Sequence, residues 1–149
     1  MRQQLAACEV SLAGTPFAQL RDALQAQLRQ ALAQLDPPPL SQPLAFNALA
    51  LQKYPASSLG ITPHRDSKRY LNLVCIVVLS GWGRFLTCAD RAGTGATEID
   101  ATPGNAILMR APGFNGAADG RPFHTVADIR SPRYVLALRQ NSRCERENH

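Results

Sequence analysis

Two of the chain's three histidines, His64 and His124, and the carboxylate Asp66 form the donor set with the most chemical content. Two imidazoles and one carboxylate on one face are the ligands of a non-haem Fe(II) centre whose remaining coordination positions stay open. In an extended segment residues i and i+2 point to the same side, so His64 and Asp66 can reach one ion together. His124 would then arrive from a strand distant in sequence and near in a rolled sheet. The competing reading is bland: an HxD triplet also arises where a strand histidine only satisfies a hydrogen bond. The third histidine, His149, is terminal and carries no expected role.

Two arginines accompany this set. Arg133 and Arg139 are six apart in a β-like run, RYVLALRQ, so they share a face, with Tyr134, Leu136 and Leu138 on the other. A guanidinium turned inward near a metal requires an anion, and its fork matches a carboxylate. The alternative is that both arginines face water on an edge strand.

The elements that must position these groups follow from periodicity. Residues 15–35 read as a helix, with Thr15 as N-cap and Pro16 at the first helical position. Phe17, Leu20, Leu24, Leu28, Leu32 and Leu35 form one apolar stripe, with Arg21, Gln25 and Arg29 expected to face away. A run of prolines at 37–39 ends the helix. Beyond it the period changes. LAFNALALQKY (44–54) suits a strand or a short helix. LNLVCIVVL (71–79) is a buried strand by its β-branched content. SGWG reads as a turn leading to a further strand, RFLTCAD. ATEIDA and NAILMRA are short strands, GFNGAADGRP is a loop, and PFHTVADI and RYVLALRQ are the last two strands. The tail after residue 140 is expected to fray.

One helix followed by many short strands excludes the strand–helix alternation of a nucleotide-binding α/β fold, and neither GxGxxG nor a Walker A run occurs. The expectation is a mainly β fold with a flanking helix, a double-stranded β-helix or jelly roll, as a single domain over 1–149 with its core at about 46–140.

Composition is that of a globular protein, 45% hydrophobic and 18% charged. The net charge of +5 arises entirely beyond residue 50 and forms no basic tail, so a disordered nucleic-acid arm is excluded and a folded basic groove is not. The four cysteines make no CxxC, and Cys75 reads as a buried small hydrophobe. With no signal-peptide pattern, and no apolar run longer than LVCIVVL, a cytoplasmic, monomeric protein without a membrane partner is expected.

Four stretches taken together resemble the Fe(II)- and 2-oxoglutarate-dependent dioxygenases, and within them the AlkB-like group. They are FNALALQKY (46–54), HRD (64–66), His124 and RYVLALRQ (133–140). The resemblance implies Fe(II) held by His64, Asp66 and His124, with 2-oxoglutarate and O₂ as co-substrates. It implies Arg133 on the distal carboxylate of 2-oxoglutarate, Arg139 near its other end and Tyr54 as a hydrogen-bond donor to it. The implied reaction is hydroxylation of a C–H bond, which on an N-methyl group becomes oxidative demethylation. The sequence departs from the family pattern where Gln52 and Val135 replace asparagines and where Ser67, Lys68 and Arg69 follow the HxD triplet. Only about 45 residues precede Phe46, which leaves little chain for a nucleotide-recognition lid.

The substrate is left open between three readings. Arg65, Lys68 and Arg69, with Trp82 and Phe114 as aromatic platforms, would suit an alkylated base in nucleic acid. A small molecule or protein side chain is the second. A jelly-roll binding module without catalysis is the third.

Overall fold

The structure, a computed structural model, describes residues 1–146, so His149 lies outside the described residues. Helix α1 spans Pro16–Ala33, and the Thr15 side chain accepts a hydrogen bond from the Ala18 N–H, as the cap signal requires. Its leucines at 20, 24, 28 and 32 pack, with Phe17, against one face of the sheet, whereas Leu35 lies beyond the last turn and is exposed. Arg21, Gln25 and Arg29 do not face away. Arg21 Nη1 and Arg29 Nε donate to the carbonyls of Phe46 and Leu44, and Gln25 Oε1 accepts from the Phe46 N–H. The segment entering the sheet crosses that flank of the helix, and its main-chain groups take their partners from α1.

Eight strands form one curled sheet. They are β1 (Gln3–Gln4), β2 (Ala6–Val10), β3 (Ala48–Tyr54), β4 (Gly60–His64), β5 (Tyr70–Cys88), β6 (Thr97–Ile99), β7 (Ala106–Arg110) and β8 (Phe123–Asn141). A short helix, α2 (Ser142–Arg146), follows where a frayed tail was expected. The strands β1 and β2 were not legible in the sequence. They cap the outer edges of β4 and β3 respectively.

The strand pairs expected at 71–79/84–90 and 122–129/133–140 are single long strands. SGWG is not a hairpin turn; β5 and β8 run antiparallel along their whole length. Between Trp82↔Ser131 and Arg84↔Ala127 the register slips, so β8 carries a bulge at 128–130. Asp128 there has φ 53°, and Pro132 sits where a missing N–H is tolerated. Opposite it Gly81 has φ 86°, and a Cβ at that position would lie 2.0 Å from the Pro132 carbonyl oxygen. At this crease both long strands exchange partners. On one side of it β8 pairs with β3 and β5 with β7. On the other, β8 pairs with β4 and β5 with β6. The two halves thereby face each other, which is the double-stranded β-helix (jelly-roll) arrangement.

Alternation then divides the apolar residues into two layers. Val74, Ile76, Val78, Val135 and Ala137 point between the halves, where they meet Ile61, Phe85 and Val126. Leu73, Cys75, Val77, Leu136 and Leu138 point outward beneath α1. Cys75 is fully buried, as its apolar setting suggests.

The crease yields the first expected outcome. Gly81→Ala lowers unfolding free energy in urea by more than about 3 kcal/mol, because it adds a backbone clash to positive-φ strain. Gly95→Ala, also at positive φ but with nothing within 4 Å of the new Cβ, costs only about 1 kcal/mol.

Candidate metal centre

His64 ends β4 and His124 opens β8, and the two are direct cross-strand partners. Their rings lie on the inner face with centroids 4.3 Å apart. Asp66 follows the strand end and turns its carboxylate to both imidazoles. Its Oδ1 is 3.5 Å from His64 Nε2 and 3.4 Å from His124 Nε2. One donor atom from each of the three residues falls within 4.8 Å of the others.

The tautomers are set by the main chain. His64 Nδ1 is 2.9 Å from the Thr62 carbonyl and His124 Nδ1 is 3.2 Å from the Pro122 carbonyl. A carbonyl only accepts, so each Nδ1 carries a proton, and each ring turns its Nε2 inward to Asp66 and to the position a metal would occupy. Phe85 lies flat beside His124, centroids 5.4 Å apart, and restrains that ring. Asp66 Oδ2 is buried with no hydrogen-bond partner. Burial opposes ionisation of Asp66, but the two imidazoles outweigh it and hold the carboxyl well below its usual range. Two inward-facing imidazole Nε2 atoms and an ionised, under-satisfied carboxylate fit a divalent ion of the Fe(II) type, which would displace any proton between them. Three protein donors leave positions open for co-substrates.

Arg133 and Arg139 do share the inner face. Arg133 is 1% exposed, and its Nε and Nη2 are buried without a hydrogen-bond partner. No ion pair to it occurs among the described residues. Its guanidinium lies 5.3 Å from the centre of the Tyr54 ring. Burial pushes the Arg133 pKa down and the Tyr54 phenol up to about 12, so Tyr54 is a neutral donor at any ordinary pH. Gly83 makes room for the arginine: a Cβ there would lie 2.9 Å from Arg133 Cδ and 2.7 Å from Ile129 Cδ1. The Nε of Arg139 is likewise buried and unpartnered, with its guanidinium 4.6 Å from the Tyr70 ring centre. Tyr54, Gln52, both arginines and the three metal-ligand candidates line one narrow cavity of about 40 Å³. Val135, at the other departure from the family pattern, packs in the inner apolar layer.

The remaining expected residues lie outside that cavity. Arg65 stacks on Phe123 at 4.6 Å, and Arg65 and Lys68 both approach Asp119 Oδ2, at 3.9 and 4.0 Å. Arg69 turns to Tyr70, donating to its hydroxyl. Trp82 sits at the crease, 37% exposed, under the Arg130 guanidinium. Phe114 packs into the layer beneath α1, with Arg110 above it.

Sequence reasoning missed Arg121. It forks onto Asp119 at 2.8 and 2.7 Å and donates from Nη1 to the Asp66 carbonyl at 2.6 Å. It thus ties the 119–122 loop to the carboxylate ligand. A single arginine in a glycine-rich loop carries no signal; only its approach to Asp66 reveals the role. Phe85 and Met109 were also missed. They line both the narrow cavity and a groove of about 640 Å³ beside β7.

Known proteins can now be compared. No family model matches the chain, and no curated protein does. Solved structures do. The prolyl hydroxylase of Trichoplax adhaerens, in complex with a hypoxia-inducible-factor peptide fragment, superposes with a TM-score of 0.65 at 14% identity, over 98% of this chain and 66% of that one. A Pseudomonas putida prolyl-4-hydroxylase gives 0.57 at 15% identity over 92% and 72%. OsALKBH1 gives 0.52 at 22% identity over 82% and 61%. The chain therefore shares the fold of these oxygenase structures, and that fold brings His64, Asp66 and His124 together as a two-histidine, one-carboxylate set able to hold a metal ion. The AlkB-like group is not set apart from the prolyl hydroxylases by these likenesses. No described helix is long and apolar enough to cross a membrane.

Burial of Tyr54 is open to titration. Absorbance at 295 nm should show one phenol ionising late, near pH 12, and Tyr54→Phe should remove that late step. Because the folded pKa lies above the usual 10, Tyr54 contributes stability that is whole below pH 10 and lost as pH rises towards 12.

Proposed function

We propose that the chain is an Fe(II)- and 2-oxoglutarate-dependent hydroxylase acting on a protein side chain or a small molecule. One observation carries the co-substrate: Arg133 is a buried cation with two unpartnered N–H groups beside a metal triad. An uncompensated buried charge is destabilising by several kcal/mol, and a carboxylate bound at that fork removes the penalty. Arg133 and the metal-ligand candidates line the same cavity, so a keto-diacid would find a cation for one end and the metal for the other. Iron, 2-oxoglutarate and O₂ together supply oxidative decarboxylation to succinate and CO₂, coupled to oxygen insertion into a C–H bond.

The chain's own groups bind and orient. His64, Asp66 and His124 hold the metal, with the Thr62 and Pro122 carbonyls fixing the imidazoles and Arg121 fixing the loop beside Asp66. Arg133 takes the distal carboxylate, the neutral Tyr54 phenol donates to it, and Arg139 lies toward the opposite end. Gln52 stands in the same cavity as a polar neighbour of the co-substrate. Phe85, Ile76 and Val126 keep the inner wall apolar, which excludes water from the reacting centre. The substrate's C–H bond comes past Phe85 and Met109 from the larger groove.

A nucleic-acid substrate, with oxidative demethylation as the AlkB-like signature suggests, is favoured by one feature. Arg65, Lys68 and Arg121 crowd one carboxylate at the rim. Against it, neither Trp82 nor Phe114 lines the cavity, so the stacking platform for a flipped base is missing there. Binding of single-stranded DNA that weakens steeply with salt would restore this reading.

His64→Ala and His124→Ala are each expected to abolish Fe(II) uptake and succinate formation while the circular dichroism spectrum is kept. Arg133→Met separates binding from folding. Without 2-oxoglutarate the variant should match or exceed the parent, by about 1–4 kcal/mol, since it removes an unpaired buried charge. The thermal stabilisation by 2-oxoglutarate should vanish. Retained stabilisation in that variant would refute the Arg133 assignment.

A further inference from the structure

We propose that the free edge of β7 is the docking strand for an extended, acidic polypeptide segment, which adds to the sheet and presents one side chain to the metal centre. The proposal rests on the hydroxylase reading above and names the substrate class and its mode of binding.

The hydrogen-bond pattern identifies the edge. Among the described residues β7 pairs with β5 alone. Asn72 and Val78 direct their main-chain groups to the two ends of β7: Asn72 N–H donates to Pro112, Ala111 N–H to Asn72, Val78 N–H to Asn105 and Gly104 N–H to Val78. Alternation then gives Val74 and Ile76 to Met109 and Ile107 across the ladder. The N–H and C=O groups of Ala106, Leu108 and Arg110 therefore point away from β5, into the groove. That row repeats at the spacing of an extended main chain, which is the one ligand able to satisfy it residue after residue.

The groove beside the edge is about 640 Å³, within the range of built binding sites. Its far wall comes from Ile99 and Asp100 and from Gly120 and Pro122. Leu108 stands 47% exposed on the outer side of β7, an apolar group with no cover. Met109 points inward and also lines the metal cavity. Paired residues in a sheet share a face. A guest residue opposite Met109 thus turns its side chain inward, past Phe85 and towards His124, while its neighbours lie outward beside Leu108.

Charge sets the guest's character. Arg110 lines the groove and has no ion pair among the described residues. Beside Gly120, three cations, Arg65, Lys68 and Arg121, share the single carboxylate Asp119. Acidic side chains on the guest complete this end.

The test uses the full chain with Fe(II) and 2-oxoglutarate under nitrogen, and a displayed library of random twelve-residue peptides. Selected peptides should be rich in Asp and Glu. In amide hydrogen exchange they should protect Ala106, Leu108 and Arg110 at least tenfold, leaving Ile107 and Met109 unchanged. N-methylation of the peptide at alternate positions should weaken binding tenfold or more in one phase only. Leu108→Pro deletes an outward N–H without touching the β5 ladder and should do the same. The proposal is overturned by a failure to select any binder, by binders that protect other amides, or by a single-stranded oligonucleotide that protects these three. It is equally overturned if this edge proves to join two copies of the chain, dissociated by Leu108→Pro. Fe(II) uptake is measured in parallel. Normal uptake without peptide binding sinks the docking strand alone. Absent uptake with these amides protected sinks the oxygenase reading alone.

Discussion

The pairing of His64 with His124 across β4 and β8 is the constraint on which the rest depends. Side chains alternate with period two, so a slip of one residue in either strand would send one imidazole to the outer face. The register is held from several directions. The bulge at 128–130 is tied down by the Ser57 N–H, which donates to the Ile129 carbonyl. Gly60 lies so close to β8 that a Cβ would sit 2.0 Å from the Val126 carbonyl oxygen. Thr125 Oγ1 donates to the Ile61 carbonyl at 2.6 Å. These are local devices, and together they fix where two side chains meet that are 60 residues apart in sequence.

The second layer of the design is electrostatic. The interior holds an ionised carboxylate just past the end of β4, and two imidazoles, a neutral phenol and two guanidiniums on the inner face of strands that are otherwise largely apolar. Such a set does not favour folding by itself, because each buried polar atom without a partner opposes it. The unsatisfied atoms are Asp66 Oδ2, Arg133 Nε and Nη2, and Arg139 Nε. One belongs to the carboxylate of the metal-ligand set, and the others are on cations lining the same cavity. Their signs are those required by a cation at one end and a carboxylate at the other. A core selected for stability alone would fill these positions with residues like Val135 and Ala137, which occupy the places between the arginines on the same strand face.

Much of this was readable from residue types. The helix was clear because cap, proline and leucine stripe agree. The triad and the paired arginines were legible because i, i+2 parity survives any detail of topology. What was lost has specific causes. The strands β1 and β2 are exposed on both faces for most of their length, so no burial pattern marks them. The glycines at 81 and 83 signalled a turn, but one relieves a backbone clash inside a strand and the other clears space for Arg133. The helix flank of Arg21, Gln25 and Arg29 looked solvated because polarity does not distinguish water from an unpaired main chain. Arg121 was invisible because its role depends on a contact across 55 residues.

The division of labour between the interior and the rim follows from these forces. Inside, the two imidazoles, Tyr54 and both arginines stand on paired strands, and Asp66 follows directly from the end of β4, so the polar groups of the cavity are held by the sheet. At the β7 side the opposite holds: the ladder stops, main-chain groups are left unpaired, a leucine is uncovered, and cations outnumber their carboxylate partners. Natural sheets ordinarily blunt such an edge with a lysine, a proline or a covering loop. This one carries none of these within Ala106–Leu108, the stretch nearest the exposed leucine, and its only charge is Arg110 at the end. An edge left open next to a reactive centre is an unstable arrangement for a chain with no partner, and it is most simply understood as the surface that a second chain completes.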